Sequence, residues 1–325
     1  MTEWSLQALD AVQWQRYWQQ AVHCSLTQSW QYGSAMAQRY LCRCHRFAIS
    51  DQQGSVRGLL QMLSWSLPWV GGVARINRGP IVCGPSWTLT EQGHFLTALR
   101  QRLHSHRCRF LKAAFAMPDQ ADLSFLLEQH GYYRQKEAPA WGSHRLLLQQ
   151  EVATLRGCLS GKWRNLLGKS ERQGVEVRLE TATACWPRFT AFYSDFVQQK
   201  EFTGIDLRFL HTLARQSAPT WQWNLFSCFL PEAPDLWIGV VVTIHHGDTA
   251  TYLIGASNEQ GRQRLCNYQL LWQAMLHARL QGMACFDLGG VNEATAEGIR
   301  HFKAGLNGTP YRLIGEWVFK RGLVI

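Results

Sequence analysis

The sequence lacks the signatures by which many enzymes are recognised. There is no Gly-x-Ser-x-Gly, no phosphate-binding Gly-x-x-x-x-Gly-Lys-Ser/Thr, no His-Glu-x-x-His and no Gly-x-Gly-x-x-Gly. Their absence argues against a serine hydrolase, a nucleotide hydrolase and a zinc protease. No apolar run approaches the roughly 20 residues that span a bilayer, so no transmembrane segment is expected. The N-terminal stretch Met1-Thr-Glu-Trp-Ser-Leu-Gln has neither a basic n-region nor an apolar h-region. The expectation is therefore no signal peptide and a cytoplasmic protein. Cys-x-x-Cys is missing too. The ten cysteines are scattered, and a long chain needs no disulfide staples, so reduced and mostly buried thiols are expected. The one cluster, Cys42-Arg-Cys44-His45, fits no common zinc spacing, and no metal is expected there.

Charge is also sparse. Only 17% of residues are charged against 46% hydrophobic, the balance of a folded globular protein. What charge there is leans one way: 33 Lys and Arg against 23 Asp and Glu, a formal net charge of +10. That excess favours an anionic partner, whether nucleic acid, a phosphorylated substrate or an anionic membrane face. The last would mean peripheral contact with the inner membrane face. At 325 residues the chain is long for one core, and two domains or two similar lobes are expected.

The apolar pattern repeats. Residues 55–64 and 73–80 predict strands, 92–104 a helix with Phe95, Leu96, Leu99 and Leu103 at helical spacing, 110–115 a strand, and 126–131 a short helix ending in glycine. The second pass predicts strands at 235–245 and 249–255, a helix at 267–281 capped by Gly282, and a strand at 283–288. A short helix ending at Gly305 and a final strand at 311–320 complete it. A duplicated α/β (α+β) unit follows, each lobe a mixed sheet flanked by helices, with lobes at 1–150 and 151–325.

Two segments stand out for chemistry. In the first, Ser160 can cap a helix over 160–173, on which Lys162, Asn165, Lys169 and Arg172 share a stripe. Arg156 and Arg164 add charge, while Trp163, Leu166 and Leu167 face inward. A solvated helix face and an anion cradle for phosphates are both open readings. The second is Asp287-Leu-Gly-Gly-Val291 followed by Gly298-Ile-Arg-His-Phe-Lys-Ala-Gly305. It brings a carboxylate, Asp287, to the end of an apolar strand and one lysine, Lys303, onto a glycine-bounded helix. Charge entering an apolar run is costly unless paired or used. The first pass has Gln129 where the second has Lys303. The 15 tryptophans suit core packing better than base stacking, with Trp4, Trp14, Trp18 and Trp30 predicted to share an N-terminal patch.

These motifs resemble the FemABX family of aminoacyltransferases. The likeness is carried by Thr27-Gln-Ser-Trp-Gln-Tyr-Gly33, Arg78-Gly-Pro80, the run from Lys162 to Val175, Tyr252-Leu-Ile-Gly-Ala-Ser-Asn-Glu259, Asn267-Tyr-Gln-Leu-Leu-Trp272, Phe286-Asp-Leu-Gly-Gly290 and Phe302-Lys-Ala-Gly305. It covers essentially the whole chain, but the long charged heptad insertion of some members is missing. The resemblance implies two tandem acetyltransferase-like (GNAT) lobes. It also implies transfer of an aminoacyl group from tRNA to an amine, typically on a cell-wall (peptidoglycan) precursor. Aminoacyl-tRNA would then be the co-substrate, with no resident cofactor, and the acceptor an anionic or phosphorylated molecule.

An ester is already activated, so such an enzyme needs to hold two anionic substrates together and stabilise the oxyanion. The matching family lysine assigns that second role to Lys303. The plain alternative is a cation complementing the helix dipole. Asp287 has two open roles: accepting the amine proton, or pairing with an arginine such as Arg300 to fix the loop, which is preferred. Lys162, Arg164, Lys169 and Arg78 are candidate substrate-binding cations. Tyr252, Asn258, Asn267 and Tyr268 either orient an acceptor or satisfy backbone at strand ends. An acyl-CoA or acyl-carrier donor is the alternative, although Glu259-Gln-Gly-Arg-Gln-Arg264 only faintly echoes the acetyltransferase pyrophosphate loop. A non-catalytic tRNA- or lipid-precursor-binding protein is the alternative of another class.

Overall fold

The computed structural model describes residues 4–67 and 71–321. Met1 to Glu3, where the segment read for a leader begins, lie outside the described residues. The chain divides into two units. One comprises Met1–Gly142, Asn292–Ala294 and Tyr311–Ile325; the other comprises Ser143–Val291 and Thr295–Pro310.

The first unit runs β1 (Ser5–Ala8), α1 (Ala11–Trp18), α2 (Trp30–Tyr40), β2 (Arg43–Ser50), β3 (Val56–Leu67), β4 (Gly71–Gly79), β5 (Ile81–Val82), α3 (Leu89–Ser105), β6 (Cys108–Phe115), α4 (Ala121–Gln129) and β7 (Tyr132–Arg134). Strands β1 to β4 are antiparallel, and β5 pairs with β3. The next pair, β4 and β6, is parallel, because α3 carries the chain across the sheet between them. The helical spacing of Phe95, Leu96, Leu99 and Leu103 puts all four into the core, against Leu111, Ala113 and Phe115 of β6. The tryptophans split. Trp14, Trp18 and Trp30 gather with Leu59 and Ile81, whereas Trp4 packs edge-on to Trp87 in the main core, ring centroids 5.0 Å apart. The single patch predicted for all four is thus two, on the two faces of β3: Leu60 packs in the cluster of Trp4 and Leu59 in that of Trp14, Trp18 and Trp30.

The second unit runs β8 (Gly142–Leu147), α5 (Val152–Cys158), α6 (Gly161–Glu171), β9 (Glu176–Glu180), α7 (Ala182–Lys200), α8 (Leu207–Ala214), β10 (Trp221–Leu230), β11 (Ala233–His246), β12 (Thr249–Ser257), α9 (Glu259–Gln263), α10 (Cys266–Leu280), β13 (Cys285–Asp287), α11 (Glu297–Ala304) and β14 (Thr309–Arg312). Its sheet has the order β14-β8-β13-β12-β11-β10-β9. Here too one pair, β12 and β13, is parallel, with α10 as the crossover. The apolar run of β11 is buried on both faces. Val241 packs under α10 with Leu270 and Ala274, and Val240 and Val242 pack under Phe189 and Leu210. Gly282, at φ +77°, ends α10 as predicted.

The C-terminal residues depart from the expected pattern. One strand is predicted over 311–320, but there are two: β14, and β15 (Glu316–Lys320). Gly315 between them has φ +90°, a conformation costly for any side chain, and it redirects the chain. β15 then joins the first sheet, antiparallel to β6 and β7. The two passes therefore exchange strands. β15 lies between β6 and β7 in the first sheet, and β8 lies between β13 and β14 in the second. A cut at residue 150 assigns both to the wrong sheet; the units part between Gly142 and Ser143.

Candidate active site

The site is built where three short elements of the second unit meet: the start of α6, the end of α11 and the edge of β13. Ser160 caps α6, its Oγ accepting from the Trp163 amide at 3.3 Å, and its own amide donates to Gly305 O at 2.9 Å. Trp163 Nε1 donates to Phe302 O at 3.0 Å. A Cβ on Gly305 would come within 2.8 Å of the Trp163 ring, so glycine here serves the close approach of two helices rather than a positive φ. The basic helix and the lysine helix are thus locked together, with Tyr268 and Phe302 packed on Trp163.

Lys303 is buried, 8% exposed. Its Nζ donates to Gly290 O at 2.9 Å and lies 5.5 Å from the centroid of the Tyr252 ring. Burial is the main cause that brings its pKa down to about 8, opposed by the Asp287 charge. The ammonium has three donors and, among the described residues, spends one on Gly290, leaving two for an incoming oxygen. Gly289 shapes the approach. It has φ +69°, and a Cβ on it would lie 2.6 Å from Tyr252 O.

Asp287 anchors this loop. It accepts from Ser143 Oγ at 2.7 Å and from the Gly289 amide at 2.8 Å. Arg145 Nε stands 3.7 Å from its other oxygen. The arginine beside Asp287 is therefore Arg145 of β8, opposite it in the strand register, while Arg300 is exposed on α11. Beside Arg145 lies a residue that sequence reasoning missed, His144. Its Nδ1 is buried with no hydrogen-bond partner among the described residues. Burial first, then the Lys303 charge, lower its pKa, against the pull of Asp287. No motif marks it; only the exchanged strand β8 brings it here.

The remaining candidates scatter. Tyr252 lies beside Lys303, its hydroxyl end against Gly255. Tyr268 contributes an aromatic face, 5.1 Å from Phe302. Asn258 caps α9, accepting from the Gly261 amide at 2.9 Å, and Asn267 donates to Ser257 Oγ at 3.1 Å, so both carboxamides hold backbone and strand ends. Arg78 belongs to the first unit, stacked 3.9 Å over Trp141 beside a cavity of about 230 Å³. On and before α6, Arg156 forms a two-point ion pair with Glu171, and Arg164 donates to the carbonyls of Gly157 and Leu159 that end α5. Lys162 and Lys169 are exposed and have no acidic partner among the described residues. Arg172, at the end of the same stripe, is exposed as well.

The FemAB family profile matches residues 231–321, the segment that holds Tyr252, Asp287 and Lys303. Over that segment the chain is similar to the FemAB family. The crystal structure of FemX superposes with a TM-score of 0.79 at 14% identity, covering 97% of each chain. A tandem GNAT protein from the clavulanic acid biosynthesis pathway gives 0.57 at 11% identity over 100% of both chains. The C-terminal domain of a putative lysylphosphatidylglycerol synthetase from Agrobacterium fabrum gives 0.52 at 11% over 84% of this chain and 83% of that one. At these identities the structures establish a tandem GNAT-like fold. No curated protein matches by sequence. No helix among the described residues is long and apolar enough to cross a membrane.

Proposed function

We propose that this protein is an aminoacyl-tRNA-dependent aminoacyltransferase that forms an amide bond on an amine acceptor, a peptidoglycan precursor or a small amine or peptide. The observation that carries the reading is Lys303: a buried ammonium with donors to spare, held within the FemAB-matched segment. In the proposed reaction the acceptor amine attacks the ester carbonyl. The electron pair moves onto oxygen, Lys303 stabilises that charge, and the tRNA ribose oxygen leaves. Lys162 and Lys169 would meet phosphates of the bound substrate. The protein would work in the cytoplasm or at the inner membrane face, with no resident cofactor.

An acyl-CoA donor is less well supported. The loop that would cradle a pyrophosphate spends its Gly261 amide on Asn258 and turns Arg262 back onto Ser257 O at 2.8 Å, with Glu259 exposed beside them. A carboxylate and an occupied amide disfavour an anion. The test is incubation with a panel of charged tRNAs and candidate amines, read by mass spectrometry. Amide product from at least one charged tRNA is expected; transfer from acyl-CoA alone would overturn the proposal, and tRNA binding without product would favour a binding protein.

Two further results are expected. Lys303 must be protonated to stabilise an oxyanion, so activity should fall as pH rises through about 8, the lowered Lys303 value; a rate still climbing at pH 9.5 would exclude Lys303 from that role. Reversing two exposed cations of α6, Lys162→Glu with Lys169→Glu, should weaken tRNA binding. It should also flatten the slope of log K against log salt by about 1.5, since each lost phosphate contact removes roughly 0.7–0.9. An unchanged slope would move the tRNA to another face.

A further inference from the structure

We infer that His144 is the proton acceptor for the attacking amine. The inference rests on the transfer reaction proposed above and adds the group that reaction still needs, because an amine that has attacked a carbonyl must shed a proton. The placement comes from the strand exchange. On β8, Ser143 and Arg145 hold Asp287, and side chains alternate along a strand, so His144 belongs to the opposite face. That face is the one of Leu146, which packs with Trp163, Phe286 and Leu306 and with the flanking Phe302 and Tyr252. It is also the face of the Lys303 helix. The strand is fixed at this point, since the Leu288 amide donates to His144 O at 3.0 Å.

The state of the ring fits the task. Among the described residues His144 Nδ1 is buried without a hydrogen-bond partner, as are ring nitrogens of His106, His245 and His277; what sets His144 apart is its place on β8 beside Lys303 and Asp287, whose charges act on it. The charges that act on it are Lys303, which disfavours its protonation, and Asp287, which favours it; with burial the balance keeps the ring neutral around pH 7. The other groups nearby are engaged. Both Asp287 oxygens face donors, and burial raises the Tyr252 phenol well above its ordinary range. In the step itself the neutral amine nitrogen forms the C–N bond, and the carbonyl electron pair moves to oxygen beside Lys303. One N–H proton passes to His144. On collapse the C–O bond to the ribose breaks, and the imidazolium returns that proton to the leaving oxygen, so the enzyme ends as it began.

The test has two arms. In the first, the protein alone, labelled with ¹⁵N-histidine, is titrated by NMR. His144 should titrate below the ordinary 6.5, and its midpoint should move up in Lys303→Met. An ordinary midpoint that ignores Lys303 would overturn the inference. In the second, transfer from charged tRNA is compared for wild type, Lys303→Met, His144→Asn and His144→Gln, with melting temperatures confirming the fold. The His144 variants should lose roughly 100-fold in kcat, with little change in KM, and should lose the acid limb of the pH profile. Full activity and an unchanged acid limb in the folded His144 variants, with Lys303→Met inactive, would overturn His144 alone. Full activity in Lys303→Met would overturn the Lys303 reading on which both rest.

Discussion

Lys303→Met should slow amide formation on the order of 10²–10³-fold, the usual loss on removing one preorganised oxyanion donor, while the folded protein becomes no less stable. The two expectations come from one feature. Burial holds the Lys303 pKa near 8 against an ordinary 10.5, so the fold disfavours the charged form by about 3 kcal/mol. The sign is clear: the folded value lies below the unfolded one, so the unfolded chain holds the proton more tightly between those two pH values. Stability therefore rises with pH from about 8 to about 10.5, and below 8 the full cost of the buried ammonium is present. Methionine removes that cost, keeps the apolar stem, and gives up one hydrogen bond to Gly290 O. Chemical denaturation at pH 7 should give a midpoint equal to or above wild type, with the rate measured on the same preparation. A cation kept only to complement the helix dipole would give the reverse pattern: rate retained, stability slightly reduced. That pattern would remove Lys303 from the chemistry.

Much of the scaffold around this lysine was legible in the sequence, for physical reasons that can be named. Helical spacing placed the buried faces of α3 and α10, because a 3.6-residue period needs no partner to be seen. Ser160 announced the start of α6 by its capping chemistry. The destination of β15 was not legible. Residues 311–320 have strand composition throughout, and pairing is a choice among distant edges that no local pattern encodes; the turn at Gly315 decides it. The same limit hid His144. It sits in Gly142-Ser-His-Arg-Leu-Leu147, a stretch without a motif, and becomes chemical only because β8 crosses into the second sheet beside β13. Asp287 and Lys303 were visible as charges in apolar surroundings, whereas Asn258 and Asn267, equally polar, turned out to hold strand ends. Charge that is expensive to bury points to the candidate site more sharply than polarity, which the backbone readily absorbs.

Asp287 separates positioning from proton transfer. Asp287→Ala should cost about 3 kcal/mol of stability or more, because it strips a buried network of its centre. Ser143 Oγ and the Gly289 amide would each lose an acceptor 2.7–2.8 Å away, and Arg145 would lose its carboxylate. The turn at Gly289 would loosen, and with it the Gly290 carbonyl that holds Lys303, so the rate should fall as well. Asp287→Asn is the discriminating variant. Its remaining carboxamide oxygen can still accept from both Ser143 and Gly289, at a cost of about 1 kcal/mol for the lost charge. If Asp287 only positions the loop, the asparagine variant should keep its rate within about tenfold of wild type and retain the acid limb of the pH profile. If Asp287 takes the amine proton, the asparagine variant should instead lose roughly 10²–10⁴ in rate at near-normal stability. Urea unfolding and pH–rate profiles on the two variants separate the outcomes. The hydrogen-bond pattern favours the first, since both carboxylate oxygens already face donors fixed by the fold, leaving the proton to a group with an open nitrogen.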